Sequence, residues 1–189
     1  MDLSDLPLDG DYSGWVRVSC LGAGGPDDVL WLWTDPGVNA EQVARTLLAR
    51  MRLQPIEMGL TPKGADPVAL VGLPVWLWVD DPARLTWGPS SISAGGMSLT
   101  ARVEAVVWEM GDGTTIRCGR GTVWRPGLGA SPSPTCGHVY ERQGSYTVRA
   151  TTQWVAQWRG YGQSGTIRLS LASSRPLDVA EIQVIVTRR

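Results

Sequence analysis

The feature that most constrains this chain is one long run of strict alternation in its C-terminal half. Tyr146, Val148, Ala150, Trp154, Ala156 and Trp158 fall on one face of an extended strand, and Thr147, Arg149, Thr151, Gln153, Gln157 and Arg159 fall on the other. The alternation persists over 13 residues, roughly 40 Å of strand. A strand of a simple two-layer fold is about half that length. The run therefore predicts a hairpin that extends beyond one sandwich layer, with GTIRLSLAS (165–173) as its second strand and YGQSG (161–165) near its tip. Trp154 and Trp158 lie in the extension. They can pack on the N-terminal half of the chain, meet a partner or stay wet. Large exposed aromatic patches are unusual on monomers, so the expectation is that the N-terminal sheet covers at least one of them.

The remaining segments from Leu85 onward also read as strands punctuated by Gly, Pro and Ser. They are LTWGPSSIS, MSLTARVEAVVWEM with a bend inside it, and LDVAEIQVIV. The first 84 residues differ. Short strands at Tyr12–Cys20 and Val29–Thr34 precede a helix expected over about 39–53, with Asn39 as its N-cap. Ala40, Val43, Ala44, Leu47, Leu48 and Met51 form its apolar stripe. A strand from Val68 to Val79 follows. WLWTDP at 31–36 and WLWVDDP at 76–82 end alike, as two similarly placed strands of one small sheet would. The expected fold is mainly β: a sandwich over 85–189 with a long hairpin, preceded by a small α+β domain over 1–84.

Within the sandwich segment, VVWEMGDGTT (Val106–Thr115) is followed by CGHVYERQGSYTVRATTQW (Cys136–Trp154). Val106, Trp108 and Met110 share a strand face, and Gly111 and Gly113 suit a turn around Asp112. This order of motifs resembles the polycystic kidney disease (PKD) repeat, in which a tryptophan strand enters a Gly-Asp-Gly turn. A His-x-Tyr element and a Gly-x-Tyr-x-Val strand then follow. Trp108, Gly111, Asp112, Gly113, His138, Tyr140, Gly144, Tyr146 and Val148 match, and the resemblance covers roughly residues 90–187. Met110 stands where the family usually has Phe, and the segment between the two motifs is longer. The resemblance implies an immunoglobulin-like sandwich and a non-enzymatic module, with Tyr140 placed for a tyrosine-corner bond to upstream backbone.

Cys118 and Cys136 bracket that longer segment, 18 positions apart. A disulfide there would stabilise by about 3 kcal/mol in the chain-entropy model. No further ligands with metal spacing accompany the pair, so a disulfide is expected in place of a zinc site. A disulfide implies an oxidising compartment. The start, MDLSDLPLDGDYSG, is acidic and has no apolar signal core. The expectation is an extracellular or cell-surface protein whose leader has been removed. A single lysine, a single asparagine and no phenylalanine suggest a GC-rich, actinobacterial genome. Cys20 is left over.

Chemistry is sparse. His138 is the only histidine, so any triad must use it, and the turn motif already gives it a structural place. Lys63 in TPKGAD lacks the flanking glycine loop and hydroxyl of a phosphate-binding motif. Glu104, Glu109, Asp112 and Glu141 read as solvated charges rather than a glycosidase pair. No cofactor, metal or catalytic residue is expected. A net charge of -1 gives no basic face for nucleic acid, and no apolar run is long enough for a membrane span. Among the ten tryptophans, Trp31 with Trp33 and Trp76 with Trp78 share strand faces. They either cover the helix stripe and the seam between the halves or form an exposed stacking platform. Together with Trp154 and Trp158 they are the residues for a partner or glycan contact. The function expected is adhesion, scaffolding or assembly through a protein partner. The alternative is a carbohydrate-binding module accessory to a hydrolase.

Overall fold

The computed structural model describes residues 15–19, 29–33, 39–64 and 67–182, the first two stretches as strand backbone. The chain divides into two compact units, Met1–Asn39 and Ala40–Arg189. In the first, β1 (Trp15–Ser19) pairs antiparallel with β2 (Val29–Trp33), setting Trp15 opposite Trp33 and Arg17 opposite Trp31.

The second unit opens with α1 (Ala40–Arg50). Ala40, Ala44, Leu47 and Leu48 are buried at the predicted spacing, and Glu41 pairs with Arg45 one turn on. Arg52, with φ 51°, ends the helical path. The strands that follow are β3 (Glu57–Leu60), β4 (Val68–Leu70), β5 (Pro74–Asp80), β6 (Ser90–Ala94) and β7 (Met97–Glu109). After them come β8 (Thr115–Cys118), β9 (Gly137–Val139), β10 (Gly144–Gly160) and β11 (Gln163–Ala180). The protein is mainly β with one helix, and the expected strand 68–79 is broken into β4 and β5 by a turn at Gly72.

The hairpin is longer than expected. β10 and β11 pair without a register change from Gly144–Val179 to Gly160–Gln163, and Tyr161-Gly162, both at positive φ, make the tip. GTIRLSLAS and the start of LDVAEIQVIV are therefore one strand. Pro176 does not divide it, because the proline lies where no ladder bond is needed. Residues 183–186 of that segment lie outside the described residues.

The main sheet runs β4-β11-β10-β7-β6, and β8 takes the lower half of the β7 edge. The bend expected in β7 is a bulge at Glu104. Trp154 lies opposite Val103 and Gln153 opposite Ala105, so Glu104 is passed over. The extra residue changes the parity of β7. Leu99, Ala101 and Val103 above it, and Val106, Trp108 and Met110 below it, are all buried on one side.

That side carries two cores. Above the bulge, Leu99, Trp154, Ala156, Trp158 and Ile167 pack with Ala44, Leu47 and Leu48 of α1 and with Met51 just after it. Below it, Val106, Trp108, Val148 and Leu177 pack with Met58, Leu60, Val75, Leu77 and Val79 of a second sheet, β3-β5-β9. Trp87 packs against both cores, and its carbonyl accepts from Val103 N at 3.1 Å beside the bulge. The helix and β3–β5 thus share one compact unit with the long hairpin, and the division lies at Asn39 rather than near residue 84. The two Trp-Leu-Trp segments belong to different sheets, β2 with β1 and β5 with β3 and β9.

Trp108 is 1% exposed, and its Nε1 has no hydrogen-bond partner among the described residues. Trp108→Ala should reduce unfolding free energy by about 3–5 kcal/mol in urea titrations, as for other buried aromatics. A loss below about 1 kcal/mol would contradict its place in the lower core.

Candidate functional site

The turn after β7 gathers most of the titratable chemistry. Met110 N donates to Thr114 O at 2.9 Å, closing the Gly-Asp-Gly loop, and Asp112 Oδ1 accepts from Thr114 N at 2.9 Å. Asp112 Oδ2 lies 2.7 Å from Nε2 of His138, which β9 delivers from the next motif. Partial burial alone would raise the Asp112 carboxyl. The Thr114 amide, the His138 ring and the Thr114 hydroxyl outweigh it and hold the pKa below the usual aspartate value. The His138 ring stands edge-on to Tyr140 at 4.6 Å, and Tyr140 stacks on Tyr146 at 4.6 Å. Tyr140 is fully buried, and its hydroxyl donates to Met110 O at 2.8 Å. This is the upstream backbone bond expected of Tyr140. Burial first, then the Asp112 carboxylate and Tyr146, push its phenol above the usual tyrosine range.

Beside this cluster lies an open cleft of about 540 Å³ lined by Asp112, His138, Glu141, Arg142, Gln143 and Tyr146. His138 Nε2 is engaged by Asp112, and no described hydroxyl or thiol is bonded to the ring. Among the described residues no three His, Cys, Asp or Glu side chains come together to hold a metal ion. The arrangement ties the β7–β8 turn to β9 and β10.

Cys118 and Cys136 lie at disulfide distance, with their Cα atoms 5.8 Å apart. The segment between them is a cover for β5. Leu77 N donates to Cys136 O at 3.0 Å and Val79 N to Arg120 O at 2.8 Å, so both ends of the segment bond along one edge of β5. Trp76 Nε1 donates to Ser131 O at 2.6 Å. Trp78 lies against two glycines: a Cβ on Gly59 would stand 2.0 Å from its ring, and one on Gly121 would stand 2.7 Å from its Cα. Lys63 Nζ sits 5.0 Å from the centre of the Trp78 ring.

β5 is consequently buried on both faces. Trp76 is 3% and Trp78 1% exposed, so the pair forms no exposed stacking platform. Trp154 and Trp158 are buried as well. The helix covers them, because the upper half of the hairpin packs on α1. Trp154 Nε1 donates to Thr152 Oγ1 at 3.1 Å, and that hydroxyl donates to Leu171 O at 3.0 Å. The Trp31 and Trp33 side chains and Cys20 lie outside the described residues.

Two features escaped the sequence reading, and each had a signal. The cover over β5 was marked by the glycine at 121, where a side chain would meet the β5 backbone. The outer edge of β11, which no described strand pairs between Gln163 and Leu177, was marked by Pro176 within a strand pattern. Among the described residues no helix is long and apolar enough to cross a membrane. No protein-family model, curated protein or solved structure matches the chain.

The depressed Asp112 pKa fixes the sign of an acid effect. Its contribution is present above the unfolded value of about 3.8 and is lost as pH falls through the lower folded value. Unfolding free energy measured between about pH 5 and pH 2 should fall more steeply in the native protein than in Asp112→Asn. Parallel curves would show that the Asp112 carboxylate is not stabilised by Thr114 and His138.

Proposed function

We propose that this chain is a non-enzymatic binding or assembly module of the cell surface or extracellular space, with a PKD-like lower sandwich that presents the hairpin to a protein partner. One observation carries the reading: the side chains that rival functions need are engaged inside the fold. His138, the only histidine, is bonded to Asp112, and Trp76, Trp78, Trp154 and Trp158 are buried in cores or under the Cys118–Cys136 segment. Sugar-binding platforms rely on exposed aromatic faces, and none of these four rings offers one. The Tyr140 bond to Met110 O and the Asp112 turn support the PKD-like assignment. The cysteine pair supports an oxidising compartment.

Lys63 provides a single-site probe, because it is the only lysine and is exposed. A membrane-impermeant amine reagent applied to intact producing cells should modify Lys63, as peptide mapping would show. A glycan array probed with the purified chain should show no saturable binding. Lys63 modified only after lysis would contradict the extracellular placement. Saturable sugar binding would favour the carbohydrate-binding alternative.

A further inference from the structure

Among the described residues, most of β11 is paired along one side only. β10 accompanies it for its whole length, whereas β4 meets it only from Asp178 to Ala180. Among the described residues, no strand pairs with the other edge between Gln163 and Leu177. The direction of the free backbone groups follows from the ladder. Ala180 O accepts from Val71 N, so residues of its parity turn N–H and C=O away from β10. Thr166, Arg168, Ser170 and Ala172 share that parity. So does Pro176, whose missing N–H leaves the ladder to β10 intact.

The open edge borders a groove of about 320 Å³ between β11 and α1. Leu48, Leu53 and Leu169 supply its apolar floor, and Arg45, Arg52 and Arg168 supply its rim. The Arg45–Glu41 and Arg168–Glu104 pairs are solvent-exposed and contribute little to holding these side chains, and Arg52 has no ion-pair partner among the described residues. A long open edge with an apolar groove beside it is a template for strand addition.

We propose that this edge receives an extended segment of a partner protein as an added strand. The segment carries apolar side chains toward Leu48 and Leu53 and acidic side chains toward Arg45, Arg52 and Arg168. A second copy of this chain is a poorer occupant. Antiparallel edge-to-edge pairing would bring the same arginines of two copies together, and like charges across a strand pair are unfavourable. The inference rests on the binding-module reading and names the chemistry of its partner.

The test uses the full chain and a fluorescein-labelled octapeptide that alternates valine and glutamate, followed by anisotropy. Saturable binding is expected. A valine–lysine octapeptide should bind about tenfold more weakly or worse, and so should the valine–glutamate peptide with alternate amides N-methylated. Ser170→Pro removes one edge-facing N–H while keeping the ladder to β10, and Arg52→Glu reverses one rim charge. Each should weaken binding about tenfold. The N-methylated peptide gives the same answer should Ser170→Pro fail to fold. No saturation, equal affinity for both peptides, or indifference to N-methylation would overturn the proposal. A concentration-dependent dimer in light scattering that Ser170→Pro abolishes would also overturn it, giving the edge to a second copy. Surface labelling of Lys63 with failed peptide binding would leave the module reading standing and remove only this edge.

Discussion

The fold of the second unit depends on one registration: the bulge at Glu104, where β7 gains a residue against β10. A strand alternates faces every residue, so a long antiparallel pair stays in phase only if both sequences keep the same parity. β10 keeps Val148, Ala150, Thr152, Trp154, Ala156 and Trp158 on one face throughout. β7 does not keep parity, because its buried positions move from odd to even numbers between Ala105 and Val106. Without the bulge either Trp108 and Val106 or Leu99 and Val103 would face water. With it, one continuous apolar face receives a helix above and a second sheet below. Trp87, the Trp154–Thr152–Leu171 hydrogen bonds and the Val103–Trp87 backbone bond lie around this point.

Much of this was legible because it rests on local periodicity. The alternation from Tyr146 to Trp158 predicted a strand too long for one layer, and the 3.6-residue stripe from Ala40 to Met51 predicted the helix face that covers it. The bend in β7 was visible as a change of phase, and Tyr140 showed its place through the motif around it. What periodicity could not supply was the choice of cover. Val75 to Val79 is apolar on both faces, but it does not say what covers Trp76 and Trp78; a distant segment folds over them, and the missing side chain at Gly121 records its approach. The division of the chain was obscured for a related reason. Helix and hairpin are more than 90 residues apart in sequence, but they share one core.

The functional reading follows from what the fold leaves over. Trp76, Trp78, Trp154 and Trp158, the histidine and two cysteines are taken up by packing, a turn and a bridge. Among the described residues, most of the outer backbone edge of β11 and the Arg52 side chain beside it are not. Among the described residues, hydrogen-bonding backbone of β11 lies unpaired next to an apolar groove rimmed by arginines, and the proposed strand addition uses both.

If the bulge unites the two cores, they should be lost together. Native-state hydrogen exchange across a denaturant series measures this directly. The account predicts that amides of Leu99, Ala101 and Trp154 above Glu104, and of Val106, Trp108 and Val148 below it, exchange with one common free energy and one common denaturant dependence. Separate isotherms, with the helix-covered half opening while the two-sheet half stays protected, would contradict it.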